Sequence, residues 1–367
     1  MIYLDNGATS LPKPACVTRA VSCAMENLAN PGRGGYPASL SAAKTVLECR
    51  QLAAAHFDCR PEQVLFTHNC THGLNMAIRT LVKPGSRVLI SGFEHNAVTR
   101  PLYGLGARIT VAGRQLFCWD DTLEAWEKAL RQGPDAAVFT HVSNVFGYIL
   151  PVEEMSRLCR QYGVPFVVDA AQSAGSMPVS LDGWGADFIA MPGHKGLLGP
   201  MGTGLLLCGH MPDPLLYGGT GSLSASFQMP DFLPDVGEAG TLNVPGIAGL
   251  RAALTYLRGR GIQRIGRQER LQAKRCAEGL KELGLQVFSG EHQAGTVSFL
   301  PPVDCEDAAQ LLADAGVCVR AGLHCAPLAH ESAGTLESGT VRISFGHTAD
   351  PDQTGGFLLA VRSLIRQ

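Results

Sequence analysis

The sequence predicts an α/β fold with a mostly parallel sheet in a large domain, followed by a smaller α+β domain. Three observations carry this. Short apolar runs recur at strand length, amphipathic stretches separate them, and from about Gly246 the texture shifts to long helical patterns. In chain order, Thr71 to Val82 sets Leu74, Ile78, Leu81 and Val82 on one helical stripe. The run RVLIS (Arg87 to Ser91) follows, then AVFT (Ala137 to Thr140). Pro151 to Tyr162 is again amphipathic through Val152, Met155, Leu158 and Cys159. Three more runs come after it: PFVVD (Pro165 to Asp169), DFIAM (Asp187 to Met191) and TGLLL (Thr203 to Leu207). Runs so short and so apolar suit parallel strands covered on both faces, whose ligands bind beyond their carboxyl ends. The large domain is expected over residues 16–245. Residues 1–15 and 246–367 are expected to form the small domain, with helices over Ile247 to Leu257, Ile262 to Leu283 and Glu306 to Ala315 and strands over Gly295 to Leu300 and Val341 to Phe345.

With 367 residues, 46% of them hydrophobic, the chain is long enough for a sizeable core. Its 30 basic and 32 acidic residues are mixed along the sequence and leave a net charge of -2, which gives no footprint for nucleic acid or anionic membrane. A small-molecule partner is expected instead. The start, MIYLDNGATS, lacks a signal-peptide pattern, and no apolar run reaches the ~20 residues of a membrane span, so the reading is cytoplasmic. Twelve cysteines without a C-x-x-C pair are expected to be reduced, to bind no metal, and mostly to be small buried hydrophobes.

The chain contains only seven lysines. Lys13 lies between prolines, Lys83 precedes a turn, and Lys44, Lys128, Lys274 and Lys281 fall in charged helical stretches, so these six are read as solvated. Lys195 differs, because it follows DFIAM within Pro-Gly-His-Lys-Gly and precedes the glycine-rich GLLGPMGTG. An amine in a tight loop just past a strand is placed to form an imine with a cofactor aldehyde, although a loop lysine by itself is usually structural. Asp169 closes the apolar strand VVDAAQ, where it suits either a pyridine nitrogen or a helix N-cap. FTHNCTHG leads into the first amphipathic stretch, so free amides and Thr71 there suit an anion such as a phosphate, or merely cap a helix. In Glu94-His95-Asn96, just after RVLIS, the imidazole of His95 suits stacking on a planar ring, although a lone histidine after a strand is more often an incidental loop residue.

Together the segments YLDNGAT, FTHNCTHG, EHNAV, HVSNVFG, VDAAQS, PGHKGLLGPMGTG, EAGTLN and RAGLHCAP resemble the class V, fold type I pyridoxal-phosphate (PLP) enzymes, in the family's order and over nearly the whole chain. The last segment resembles the cysteine desulfurase and selenocysteine lyase group, type II rather than type I. The resemblance implies pyridoxal 5'-phosphate as cofactor, with Lys195 as its Schiff-base lysine. It further implies Asp169 at the pyridinium, Gln172 at the ring hydroxyl, His95 stacked on the ring and Asn144 near both the ring hydroxyl and the substrate carboxylate. Thr71, the Cys70 amide and His194 would hold the phosphate, and Thr241 would reach the phosphate of the other subunit in a homodimer. Arg342 would clamp the substrate carboxylate, a role that strand alternation supports, since Val341, Ile343 and Phe345 share the opposite face. Cys325 would take sulfur from L-cysteine as a persulfide and leave alanine, for passage to a sulfur-acceptor protein. His95 or His324 would assist.

The sequence also departs from the type II pattern. Pro192 stands where the family has a phosphate-binding serine, His72 replaces a glutamate, Leu323 replaces a histidine, and NPGRGGYP replaces a histidine-richer segment. Three enzyme activities therefore stay open: desulfuration of L-cysteine, lysis of L-selenocysteine, and a class V aminotransferase or β-lyase activity in which Cys325 is incidental. A cofactor-bound regulator without turnover is the reading from another class.

Overall fold

A computed structural model describes residues 1–32 and 34–366; within the glycine-rich segment noted above, Arg33 lies outside the described residues. Its elements in order are β1 (Ile2–Tyr3), α1 (Ala15–Asn27), α2 (Pro37–Phe57), β2 (Val64–Thr67), α3 (Cys70–Leu81), β3 (Arg87–Ser91), α4 (Asn96–Gly104), β4 (Arg108–Ala112) and α5 (Trp119–Leu130). Then come β5 (Ala136–Thr140), α6 (Val152–Gln161), β6 (Phe166–Asp169), α7 (Leu181–Trp184), β7 (Phe188–Pro192), β8 (Gly204–Cys208), α8 (Val244–Arg260) and α9 (Ile262–Glu282). The chain closes with β9 (Gln286–Phe288), β10 (Thr296–Leu300), α10 (Cys305–Asp314), β11 (Val317–Cys318), β12 (Arg320–Gly322), α11 (Pro327–Ala333), β13 (Thr340–Ser344) and α12 (Pro351–Ile365).

Seven strands form the large sheet in the order β2-β8-β7-β6-β5-β3-β4. Alternate residues of each run feed two different cores: Leu89, Phe139, Val168 and Ile189 pack on one face, and Val88, Ile90, Val138 and Val167 on the other. That is why these strands are apolar at nearly every position. The strands β4, β3, β5, β6 and β7 are parallel. β8, expected to be parallel like the others, runs antiparallel to both β7 and β2. The glycine-rich loop between β7 and β8 is too short to hold a crossover helix, so the chain can only turn back on itself.

A four-stranded antiparallel sheet, β12-β13-β10-β9, and a β1–β11 pair build the second layer with α9, α10 and α12. Leu4 joins this core, so the N-terminal strand packs with the C-terminal third of the chain. Helix α8 belongs elsewhere: Val244, Ile247, Leu250, Leu254 and Leu257 sit in the larger core. The change of core falls within α9, whose Ile265 still packs in the larger core and whose Ala273, Cys276, Ala277 and Leu280 pack in the smaller one. Among the described residues no helix is long and apolar enough to cross a membrane.

Candidate active site

A cavity opens beyond the carboxyl ends of β5, β6 and β7, lined by Thr71, Asn144, Asp169, Gln172, His194 and Lys195 among others. Asp169 is the last residue of β6 and only 3% exposed. Its Oδ1 accepts from the Ala171 amide at 2.9 Å and from Cys70 Sγ at 3.5 Å. Burial raises its pKa, and the hydrogen bond from Ala171 and the Lys195 charge pull it back down. Lys195 occupies the loop after β7. Burial lowers its pKa and Asp169 opposes the shift, so its amine is less basic than a solvated lysine. The loop can approach so closely because Gly196 has no side chain: a Cβ there would collide with the Ala174 carbonyl.

Asn69 caps α3, its Oδ1 accepting from the His72 amide at 2.8 Å. The amides of Cys70 and Thr71 have no partner inside the helix by position, and both residues line the same cavity. His95 caps α4, its Nδ1 accepting from the Ala97 amide at 3.0 Å, which leaves the proton on Nε2. Burial, with the Lys195 charge next, pushes its pKa down to about 4, so the ring is neutral near pH 7. Just before it, the buried Glu94 ties the ends of β3 and β5 by accepting from Ser91 Oγ and, at 3.0 Å, from the Thr140 amide. Burial lifts Glu94 to about 8.

The N-terminal segment closes one side. The Ser10 amide donates to the His194 carbonyl at 3.1 Å, Thr9 Oγ1 pairs with His194 Nδ1 at 3.1 Å, and Gln172 Nε2 donates to the Gly7 carbonyl at 3.0 Å. Lys13, read as solvated, also donates to the His194 carbonyl, and burial lowers its pKa to about 8. Flanking prolines gave no sign of this, because the contact spans 181 residues.

Arg342 is 3% exposed and buried against the large domain, so it is no solvated strand residue. Its Nη2 donates to Asp5 Oδ1 at 2.7 Å and its Nη1 to the Asn144 carbonyl at 3.0 Å, while Nε is buried without a partner. Asp5 is the neighbour of Arg342 that sequence reasoning missed, although it lies in the matched YLDNGAT segment. Replacing Asp5 with alanine strands the guanidinium, a loss of about 1–3 kcal/mol of stability given that Asp5 is partly exposed. Urea unfolding of Asp5→Ala beside Asp5→Asn reads this directly.

Cys325 is exposed, and it and His324 both adopt the left-handed region with φ of 57° and 49°. Two consecutive non-glycine residues there are strained unless neighbours hold them. Asn144 Nδ2 donates to the His324 carbonyl at 2.7 Å and the Asn96 amide to the Cys325 carbonyl at 2.7 Å. The loop is therefore tied to Asn144 of the cavity and to Asn96, between the lining residues His95 and Ala97. His324 itself is buried, its Nε2 against the Thr340 carbonyl at 3.1 Å, and burial drops its pKa to about 2. Burial thus makes it a weaker base than an exposed imidazole, while its ring anchors the loop on Thr340. Of the other cysteines, Cys49, Cys159, Cys208, Cys276 and Cys305 are buried, Cys70 is buried at the cavity, and Cys23 is exposed. Thr241 lies apart in a second cavity, beside His68 and His72.

The aminotransferase class-V family model matches residues 2–354. A probable cysteine desulfurase of Pyrococcus abyssi is 33% identical over 385 residues, covering 100% of this chain and 94% of that protein. One from Methanothermobacter thermautotrophicus is 33% identical, covering 92% and 89%. The apo structure of a cysteine desulfurase from Thermococcus onnurineus superposes with a TM-score of 0.91 at 33% identity, over 100% of this chain and 94% of that one. With a fold and a full-length sequence match that agree, the chain belongs to the aminotransferase class-V family, among homologues of cysteine desulfurases.

Proposed function

We propose that this protein is a PLP-dependent cysteine desulfurase of type II character, which moves the sulfur of L-cysteine onto Cys325 and releases L-alanine, in the cytoplasm and as a homodimer. The observation that carries the reading is that exposed Cys325 sits in a loop whose backbone carbonyls accept from Asn144, which lines the cavity that holds Lys195 and Asp169, and from Asn96, between the lining residues His95 and Ala97.

The donor set fits the cofactor. A buried carboxylate, a weakly basic amine and two unsatisfied helix-start amides with the Thr71 hydroxyl suit a pyridine nitrogen, an aldehyde and a phosphate in turn. Pro192 lines the cavity but offers neither hydroxyl nor amide hydrogen, so the phosphate depends on the α3 start, on His194 and on Thr241 from a second subunit. When bound, the cofactor supplies an electron sink for the pair left at Cα.

The protein residues divide the remaining work. Arg342 takes the substrate carboxylate on its free Nε edge while Asp5 and the Asn144 carbonyl fix the other nitrogens. Lys195, neutral more readily than a solvated lysine, carries the proton from Cα. Neutral His95 covers the cavity beside Lys195. The Cys325 thiolate attacks the substrate sulfur; a sulfur–sulfur bond forms as the Cβ–sulfur bond breaks, its electron pair stays on Cβ, and a proton there completes the alanine methyl.

Mass spectrometry of holoenzyme after L-cysteine tests the proposal, with one extra sulfur expected on the peptide containing Cys325 and an equivalent of alanine. A keto acid without extra sulfur would replace desulfuration by transamination or elimination. Arg342→Ala is expected to weaken cysteine binding by about 2–5 kcal/mol with normal cofactor content, because a buried charge-assisted pair is lost. An unchanged KM would assign the carboxylate to another residue.

A further inference from the structure

Charge is mixed along most of the sequence, but between residues 258 and 270 Arg258, Arg260, Arg264, Arg267 and Arg270 meet a single acid. That acid, Glu269, is buried, and burial lifts its pKa to about 8, so near pH 7 it is mostly neutral and offsets little of their charge. None of these arginines takes part in an ion pair among the described residues. Gly261, with φ of 79°, ends α8 and begins α9. Helix α9 opens with no acid in its first turn and no side-chain cap, so Arg264 stands at the positive end of the helix dipole, where an anion is stabilising and a cation is not.

Arg260, from the last turn of α8, and Arg264, from the first turn of α9, line one pocket with His347 and Thr348, which lie between β13 and α12. The walls are held in place. Gln268 Nε2 donates to the Ala349 carbonyl at 3.2 Å, and the Tyr256 ring has the Arg260 guanidinium at 5.9 Å and the His347 ring edge-on at 5.9 Å. His347 Nδ1 is buried without a partner. Burial, then the positive charges of Arg260 and Lys13, push the pKa of His347 down to about 4, with no carboxylate to oppose them. Among the described residues no acid lines the pocket. A run of exposed arginines is by itself an ordinary solvated helix face. Two unpaired guanidiniums, an imidazole and a hydroxyl around one pocket, with no acid among them, form a set of donors that lacks its acceptor.

We propose that this pocket binds a small phosphate-bearing anion, which bridges the α8–α9 junction to the turn before α12. The site is separate from the α3 start that suits the cofactor phosphate, and the proposal does not depend on sulfur chemistry. The planar forks of Arg260 and Arg264 match phosphate oxygens, and the His347 and Thr348 side chains close the opposite wall. Helix α8 packs in the larger core and α12 in the smaller one. Ile265 and His347 also line a cavity that reaches Gly196 and Lys195. A bound anion therefore ties the two cores together behind the loop that carries Lys195.

The test uses holoenzyme in phosphate-free buffer, freed of excess cofactor so that the cofactor site is already filled. Calorimetric titration with inorganic phosphate, pyrophosphate or adenosine diphosphate, at an ionic strength matched with sodium chloride, should show one anion bound per chain, and saturation should raise the melting temperature. Tighter binding of adenosine diphosphate than of pyrophosphate would support the site with a phosphate ester as its ligand, and equal or weaker binding would support it with the free anion. Arg260→Ala with Arg264→Ala should weaken binding at least about tenfold with unchanged circular dichroism, because both forks are lost. Arg258→Ala with Arg267→Ala removes two exposed arginines from outside the pocket and should leave the affinity unchanged. Absence of binding by all three anions, or binding that survives the loss of Arg260 and Arg264, would overturn the assignment. Equal weakening by the two double variants would reduce the arginines to a general basic face and overturn it as well. So would binding of heparin with none of the three small anions, in favour of a polyanion surface.

Discussion

Replacing Lys195 with alanine is expected to abolish turnover of L-cysteine while leaving the fold unchanged. The side chain sits in a loop whose shape is set by Gly196 and by the Leu198 amide donating to the Lys195 carbonyl at 2.8 Å, and truncating the amine leaves those backbone contacts in place. What disappears is the proposed attachment point for the cofactor and the group proposed to move the Cα proton. A positioned general base alone is worth about 10²–10⁴-fold in rate, and the attachment adds to it. Loss of the yellow colour of lysine-bound cofactor, with normal circular dichroism and no alanine release, checks the expectation. Turnover at the native rate would remove Lys195 from the mechanism.

Cys325→Ser separates desulfuration from the rest of the chemistry. The thiolate acts only when sulfur leaves Cβ, so the variant should still change its absorption when L-cysteine is added. Extra sulfur on the protein and release of alanine should both vanish. With L-selenocysteine residual activity is compatible, because selenium departs more readily than sulfur. Thiol-reactive reagents should label Cys325 and the likewise exposed Cys23 ahead of buried Cys49, Cys159, Cys208, Cys276 and Cys305, and only the Cys325 signal should fall after loading with cysteine. Alanine release by Cys325→Ser at the wild-type rate would return the protein to the aminotransferase or lyase readings.

Much of the large sheet was legible because a strand covered on both faces must be apolar at nearly every position, as β3, β5, β6 and β7 are. β4 escaped because it is the sheet edge and alternates between exposed and half-buried residues. The direction of β8 escaped because a run of leucines does not encode orientation; the length of the preceding loop does. Within the site, Lys195 and Asp169 stood out through their place at strand ends, and Arg342 through alternation along β13. Asp5, Glu94 and Lys13 did not, since their partners are contacts between distant segments: Arg342, the Thr140 amide and the His194 carbonyl. Periodicity reports which face a residue takes, whereas it carries nothing about what another segment brings to that face.

The Asp5–Arg342 pair joins residues 337 positions apart. During synthesis, residues 1–208 can assemble the whole seven-stranded sheet, with Lys195 and Asp169 in place, well before β13 has been made. A chain arrested before Thr340 would therefore carry the residues expected to hold the cofactor, with no arginine to hold a substrate carboxylate. Closing so long a loop is entropically costly and adds long-range contacts that slow folding. Under the role proposed for Arg342, competence to bind an amino acid follows the synthesis of β13 rather than the completion of the seven-stranded sheet, so a chain still lacking β13 could hold cofactor without acting on a substrate.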